Sequence, residues 1–154
     1  KKGKAKIIHV SSEAHRFGTD PSRDLSLKKS SNTGSAYGRV KIYNILFSSG
    51  LKKQFESEGI SAYSLHPGAV KTAFGSETSG ITKGIIRLTQ LFFISPNAGA
   101  QTTIFLAKTP KENLRNGSYY VRRKPKSPSS TALSQGLAKE LWEYSEEVLA
   151  GIKI

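Results

Sequence analysis

No cysteine and no methionine occur among the 154 residues, and acidic side chains are scarce, 11 against 24 lysines and arginines. Without cysteine this stretch holds no disulfide, no thiol nucleophile and no cysteine-bound metal. Its apolar runs are all shorter than the 18 or so residues that cross a bilayer. His9, His15 and His66 share neither a ligand spacing nor carboxylate partners, so no metal site is expected. The shortage of acid leaves a formal net charge of +13, which raises nucleic acid as a partner. The basic clusters, however, are scattered: Lys1 to Lys6, Lys28-Lys29, Lys52-Lys53 and Arg122 to Lys126. No zinc-finger, RNA-recognition or helix-turn-helix pattern accompanies them. A solvated basic surface is the expectation, not a nucleic-acid site, with anionic membrane or partner contact left open. At 36% apolar residues the chain can bury a core, and its length suits a single domain.

What is present alternates between strand-like and helix-like stretches. Ile7 to Val10 is a short continuous apolar run of the kind found in strands buried on both faces of a parallel sheet. Glu13 to Gly34 is polar and turn-rich, a long loop. Thr33 or Ser35 caps a helix running to about Ser57, with Val40, Tyr43, Asn44, Phe47, Leu51 and Phe55 at three-to-four spacing. Gly59 stops it. Ile60 to Leu65 is a second strand, ended by His66-Pro67-Gly68, and the three elements make a βαβ unit. Residues 73–94 turn from polar to strongly apolar, a helix readable as core packing, as a cover over a substrate, or as an interfacial membrane segment. Pro96 opens a helix to about Lys108. Ser118 to Val121 forms a short strand, and a last helix runs from about Ser134 to Leu149.

The chemistry is concentrated in Ser35-Ala-Tyr-Gly-Arg-Val-Lys41. Tyr37 and Lys41 are four apart, so on a helix they share one face. An ammonium beside a phenol favours the phenolate, and such a phenol exchanges a proton with a substrate oxygen. Ser11 and Ser12 close the first strand, and strand alternation puts them on opposite faces.

Tyr37-Gly-Arg-Val-Lys41, with Val10-Ser-Ser-Glu-Ala-His15 upstream and His66-Pro-Gly-Ala-Val-Lys-Thr72 downstream, resembles the short-chain dehydrogenase/reductases, in the retinol-dehydrogenase-like branch. Pro96 to Gln101 and Asn116 to Tyr120 are similar to later landmarks of that branch. The resemblance runs from about Lys4 to the C-terminus. It implies an α/β, Rossmann-like, doubly wound parallel sheet. The implied catalytic set is Ser12, which binds the substrate oxygen, Tyr37 as acid/base, and Lys41. The implied cofactor contacts are Tyr37, Lys41, Pro67, Gly68, Val70 and Thr72, around NADP or NAD with NADP preferred. The implied substrate is a hydrophobic alcohol or its carbonyl, retinol-like, steroid-like or xenobiotic.

The family's glycine-rich turn, cofactor selector and catalytic asparagine have no counterpart here, since Gly75, Gly80 and Gly84 lack both the spacing and a preceding strand. With its start at Lys1, just ahead of a strand, residues 1–154 therefore read as the C-terminal portion of such a domain, its dinucleotide-binding half absent. On its own that portion is expected to be inactive and prone to aggregate through an unpaired strand edge. A non-catalytic binding or scaffold protein that keeps the fold is the alternative. A homodimer, membrane association, and a cytoplasmic or endoplasmic-reticulum location stay open.

Overall fold

The computed structural model describes residues 5–28, 33–68 and 95–152. In chain order the elements are β1 (Lys6–Val10), α1 (Thr33–Phe55), β2 (Ser61–His66), α2 (Pro96–Lys108), β3 (Tyr119–Val121), β4 (Lys124–Pro125), α3 (Ser130–Leu133) and α4 (Gln135–Ala150). Single 3-10 turns cover Glu13–Arg16, Glu56–Glu58 and Lys111–Asn113. The sheet order is β1-β2-β3-β4, parallel across the first three strands and antiparallel at β4. This is the expected α/β architecture of a parallel sheet covered on both faces. The expected helix within residues 73–94 lies outside the described residues.

Strand alternation divides the core in two. Tyr119 packs with Ile42, Ile45 and Leu46 of α1 and with Leu137, Ala138 and Leu141 of α4. Its neighbour Tyr120 points the other way, into Tyr63, Leu65, Leu106 and Leu114 beneath α2. Central strand β2 is buried over its first five residues, and each large apolar side chain removed from water there is worth about 1.5–3 kcal/mol. The apolar stripe expected on α1 is displaced. Val40 is exposed, and the fully covered residues are Ile42, Ile45, Leu46 and Ser48. The reason is that α1 lies between the sheet and α4, so its buried surface is wider than one stripe, and Phe47 and Phe55 meet Trp142.

Local chemistry fixes the ends. Ser95 caps α2 by accepting from Ala98 N–H at 3.2 Å, with Pro96 at the first helical position. The far end of α2 is capped from the sheet, where the Lys6 ammonium donates to the carbonyls of Leu106, Ala107 and Thr109. Asn116 carries the β2 ladder beyond β3, its Oδ1 accepting from Ala62 N–H at 2.8 Å. The hairpin between β3 and β4 was not foreseen from the sequence. Val121 pairs with Lys124, leaving Arg122 and Arg123 as a two-residue turn with φ of 49° and 65°. Left-handed backbone at both positions is the type I′ pattern that favours Asn-Gly, and it costs a residue with a Cβ roughly 1–2 kcal/mol.

Candidate active site

The carboxyl ends of β1, β2 and β3 share one edge of the sheet, where open α/β folds hold their ligands. At the end of β1 the Val10 carbonyl accepts two hydrogen bonds from α1, from Lys41 Nζ at 3.1 Å and from Asn44 Nδ2 at 2.9 Å. Lys41 Nζ also lies 5.2 Å from the centre of the Tyr37 ring, within cation–π range. Tyr37 is 43% exposed and so presents its ring to the surface beside that strand end. The third turn of α1 and the last residue of β1 are thereby locked together, although 31 to 34 positions separate the bonded residues in sequence.

The two adjacent serines are used differently. Ser11 is buried; its N–H donates to Leu65 O at 2.7 Å and its hydroxyl donates to the Lys41 carbonyl at 2.7 Å. Ser12 is partly exposed and caps the Glu13–Arg16 turn, its Oγ accepting from Ala14 N–H at 3.2 Å. Because that contact occupies a lone pair, the Ser12 proton remains available to another acceptor. The backbone of Ser12 is held by His15, whose ring is fully buried. His15 Nδ1–H donates to Ser12 O at 2.6 Å, and its Nε2 accepts from Ser129 N–H at 3.0 Å. These partners fix the neutral ring, and burial holds its pKa below the usual histidine value, the Ser12 bond opposing only in part.

Next to this, Glu13 accepts from Arg16 at 2.9 Å and from the Tyr119 hydroxyl at 3.0 Å, with Lys126 at 3.4 Å. Burial alone would raise its carboxyl, but the bonds from Arg16 and Tyr119 and the Lys126 charge outweigh it and hold the pKa at about 2. Burial and the same carboxylate push the Tyr119 phenol well up. The Glu13 N–H donates to His66 Nδ1 at 3.3 Å, tying the segment after β1 to the end of β2. The loop that follows is fastened to α1 as well: buried Arg39 pairs with Asp24 at 3.7 Å, and Tyr43 donates to Leu25 O at 2.9 Å. Gly18 and Gly38 touch backbone to backbone; a Cβ on Gly38 would sit 2.6 Å from Gly18 N.

Pro67 and Gly68 line a cleft of about 870 Å³ with Glu13, His66, Gln101, Thr102 and residues 121–126. Gly68 has φ 97°, a conformation that only glycine adopts without strain. Tyr37, Lys41 and Ser12 do not line this cleft, so the candidates fall into two neighbouring groups bridged by Glu13 and His66. Val70 and Thr72 lie outside the described residues. A larger cavity of about 980 Å³, between the C-terminal part of α1 and the 115–119 segment, is lined by none of the candidates. Asn44, His15 and Glu13 were not singled out by sequence reasoning. Asn44 had a signal, since it stands three residues beyond Lys41 on the same helical face. The other two depend on contacts more than a hundred positions away. Among the described residues no group of histidine and acidic side chains is placed to hold a metal, and no helix is long and apolar enough to cross a membrane.

No protein-family model matches the chain. Human retinol dehydrogenase 14 is 32% identical over 152 residues, covering 97% of this chain and 45% of that protein. Mouse retinol dehydrogenase 12 is 33% identical over 145 residues, 94% of this chain and 46% of its own length. Among solved structures, an uncharacterized protein from Mycobacterium paratuberculosis superposes with a TM-score of 0.67 at 25% identity, covering 94% of this chain and 50% of the other. Over nearly its whole length the chain is thus similar to retinol dehydrogenases of the short-chain dehydrogenase/reductase family. NADPH-bound carbonyl reductase from chicken fatty liver shares the fold, with a TM-score of 0.51 at 18% identity over 80% of this chain and 42% of that one. The chain spans about 45% of the length of the retinol dehydrogenases it matches.

Proposed function

We propose that these residues form the substrate-side half of an NAD(P)-dependent oxidoreductase interconverting a hydrophobic alcohol and its carbonyl. The observation that carries this reading is the junction at the end of β1. Lys41 reaches both the Tyr37 ring and the carbonyl immediately before Ser11-Ser12.

When bound, the nicotinamide cofactor supplies or accepts hydride at the substrate carbon. The residues present suit its nicotinamide end, because left-handed Gly68 lets the backbone approach closely at the edge of the cleft. Pro67 and Gly68, with Val70 and Thr72 after them, would make that contact, and Lys41 would take the ribose. In the reducing direction Tyr37 gives its phenolic proton to the carbonyl oxygen; in the oxidising direction it takes the hydroxyl proton. The Lys41 ammonium stabilises the negative charge that develops on the phenol oxygen as the proton leaves. Ser12 donates its hydroxyl hydrogen to the same substrate oxygen and so fixes its position. NADP is preferred over NAD on the likeness to the retinol-dehydrogenase branch. A retinol-like, steroid-like or xenobiotic substrate fits either a cytoplasmic or an endoplasmic-reticulum setting.

The test is turnover of apolar aldehydes and alcohols with NADPH and NADH, run on residues 1–154 alone and on this stretch joined to a family dinucleotide-binding half. Turnover by the joined form and none by the 154 residues is the expected pattern. Absence of turnover in the joined form, with cofactor bound, would favour a non-catalytic binding role.

A further inference from the structure

The β3–β4 turn places two arginines where its backbone favours Asn-Gly. Arg122 and Arg123 both take left-handed φ values, and strain of this kind is commonly retained where a site uses the side chains it presents. The turn also carries a cluster of positive charge. Arg122, Arg123, Lys124 and Lys126 are all exposed and all line the 870 Å³ cleft. Among the described residues Lys126 pairs with Glu13, whereas Arg122, Arg123 and Lys124 have no carboxylate within ion-pair distance. Among the described residues Glu13 is the one acidic side chain on the cleft, and Arg16, Tyr119 and Lys126 already occupy it. Residues 69–94 bring a single further acid, Glu77. At most one of the three cations can therefore be neutralised from that segment. Unpaired charge of one sign around a concavity concentrates counter-ions there. Two guanidinium forks beside an ammonium match a doubly charged tetrahedral oxyanion better than a carboxylate.

We propose that Arg122, Arg123 and Lys124 form a recognition site for a phosphate monoester at the lip of this cleft, carried by a soluble molecule or by a lipid headgroup. The site is independent of the redox reading and needs no turnover to be seen.

The experiment compares the chain with Arg122→Asn/Arg123→Gly, which removes both charges while installing the residues the turn prefers. A second variant, Lys53→Asn/Lys108→Asn, removes the same number of charges from exposed positions off the cleft. Inorganic phosphate is titrated by calorimetry, and phosphatidylcholine vesicles with and without phosphatidic acid are used for co-sedimentation. The hairpin variant should melt a few degrees higher and bind about tenfold more weakly, and the control should bind like the parent. Binding of free phosphate alone assigns a soluble ligand; added retention on phosphatidic acid vesicles assigns a lipid headgroup. Equal weakening in both variants, or no binding of either probe by the parent, overturns the proposal. So does a hairpin variant no more stable than the parent, and so does, in the form joined to a dinucleotide-binding half, a parallel loss of NADPH affinity, which would make these cations part of the cofactor site.

Discussion

Ser11 and Ser12 are neighbours of one residue type, yet one hydroxyl is spent on the Lys41 carbonyl and the other caps a short turn beside the surface. The direction of each follows from strand alternation, which is legible in the sequence. Tyr37 and Lys41 were legible for a similar reason, because four positions on a helix bring side chains to one face. What could not be read was the packing around them. Glu13 shows this best, since nothing local announces that Tyr119 and Lys126 close on it from the far end of the chain. Its lowered pKa has a definite consequence for stability. A carboxyl whose pKa is about 2 in the folded chain and 4.5 otherwise stabilises the fold above pH 4.5 and loses that contribution as pH falls toward 2. Urea midpoints of the parent and Glu13→Gln should differ near neutrality and converge across that window. A difference that is constant with pH would show that Glu13 acts through shape and not through charge.

At the level of elements, the strand–helix–strand core, α2 and α4 were readable because period and punctuation agree. Pro96 begins a helix, Gly59 follows one, and β-branched runs mark β1. The boundaries moved by a residue or two, as Ser134 became the cap of α4 after a separate turn, α3. The β3–β4 hairpin was not readable, because Arg-Arg is not a turn signal; only the paired register reveals it. Nor was the meeting of Gly18 with Gly38, which seats the segment after Ser12 directly on the second turn of α1. A methyl group there has nowhere to go, because the atoms it would meet are backbone. Gly38→Ala should therefore destabilise the chain by about 1–3 kcal/mol, measured by denaturant unfolding. A neutral result would mean that the loop and α1 separate at little cost.

Over the whole molecule, the excess of positive charge reads as a property of the surface, and three exposed cations without an ion pair among the described residues stand together on one hairpin. All three histidines lie in partly or fully buried settings, and burial lowers the pKa of each below 6.5. A group that resists protonation when folded destabilises the fold once the unfolded chain begins to take up protons. Stability should thus fall as pH drops below 6.5, in a window separate from that of Glu13; a midpoint that rises from neutral to mildly acid conditions would contradict this. The redox assignment depends on the phenol that Lys41 flanks, and replacing that one oxygen tests it most directly. In the polypeptide that joins this chain to a dinucleotide-binding half, Tyr37→Phe should reduce turnover of an apolar aldehyde by about 10²-fold or more while cofactor affinity is retained. Turnover equal to that of the parent would contradict the account.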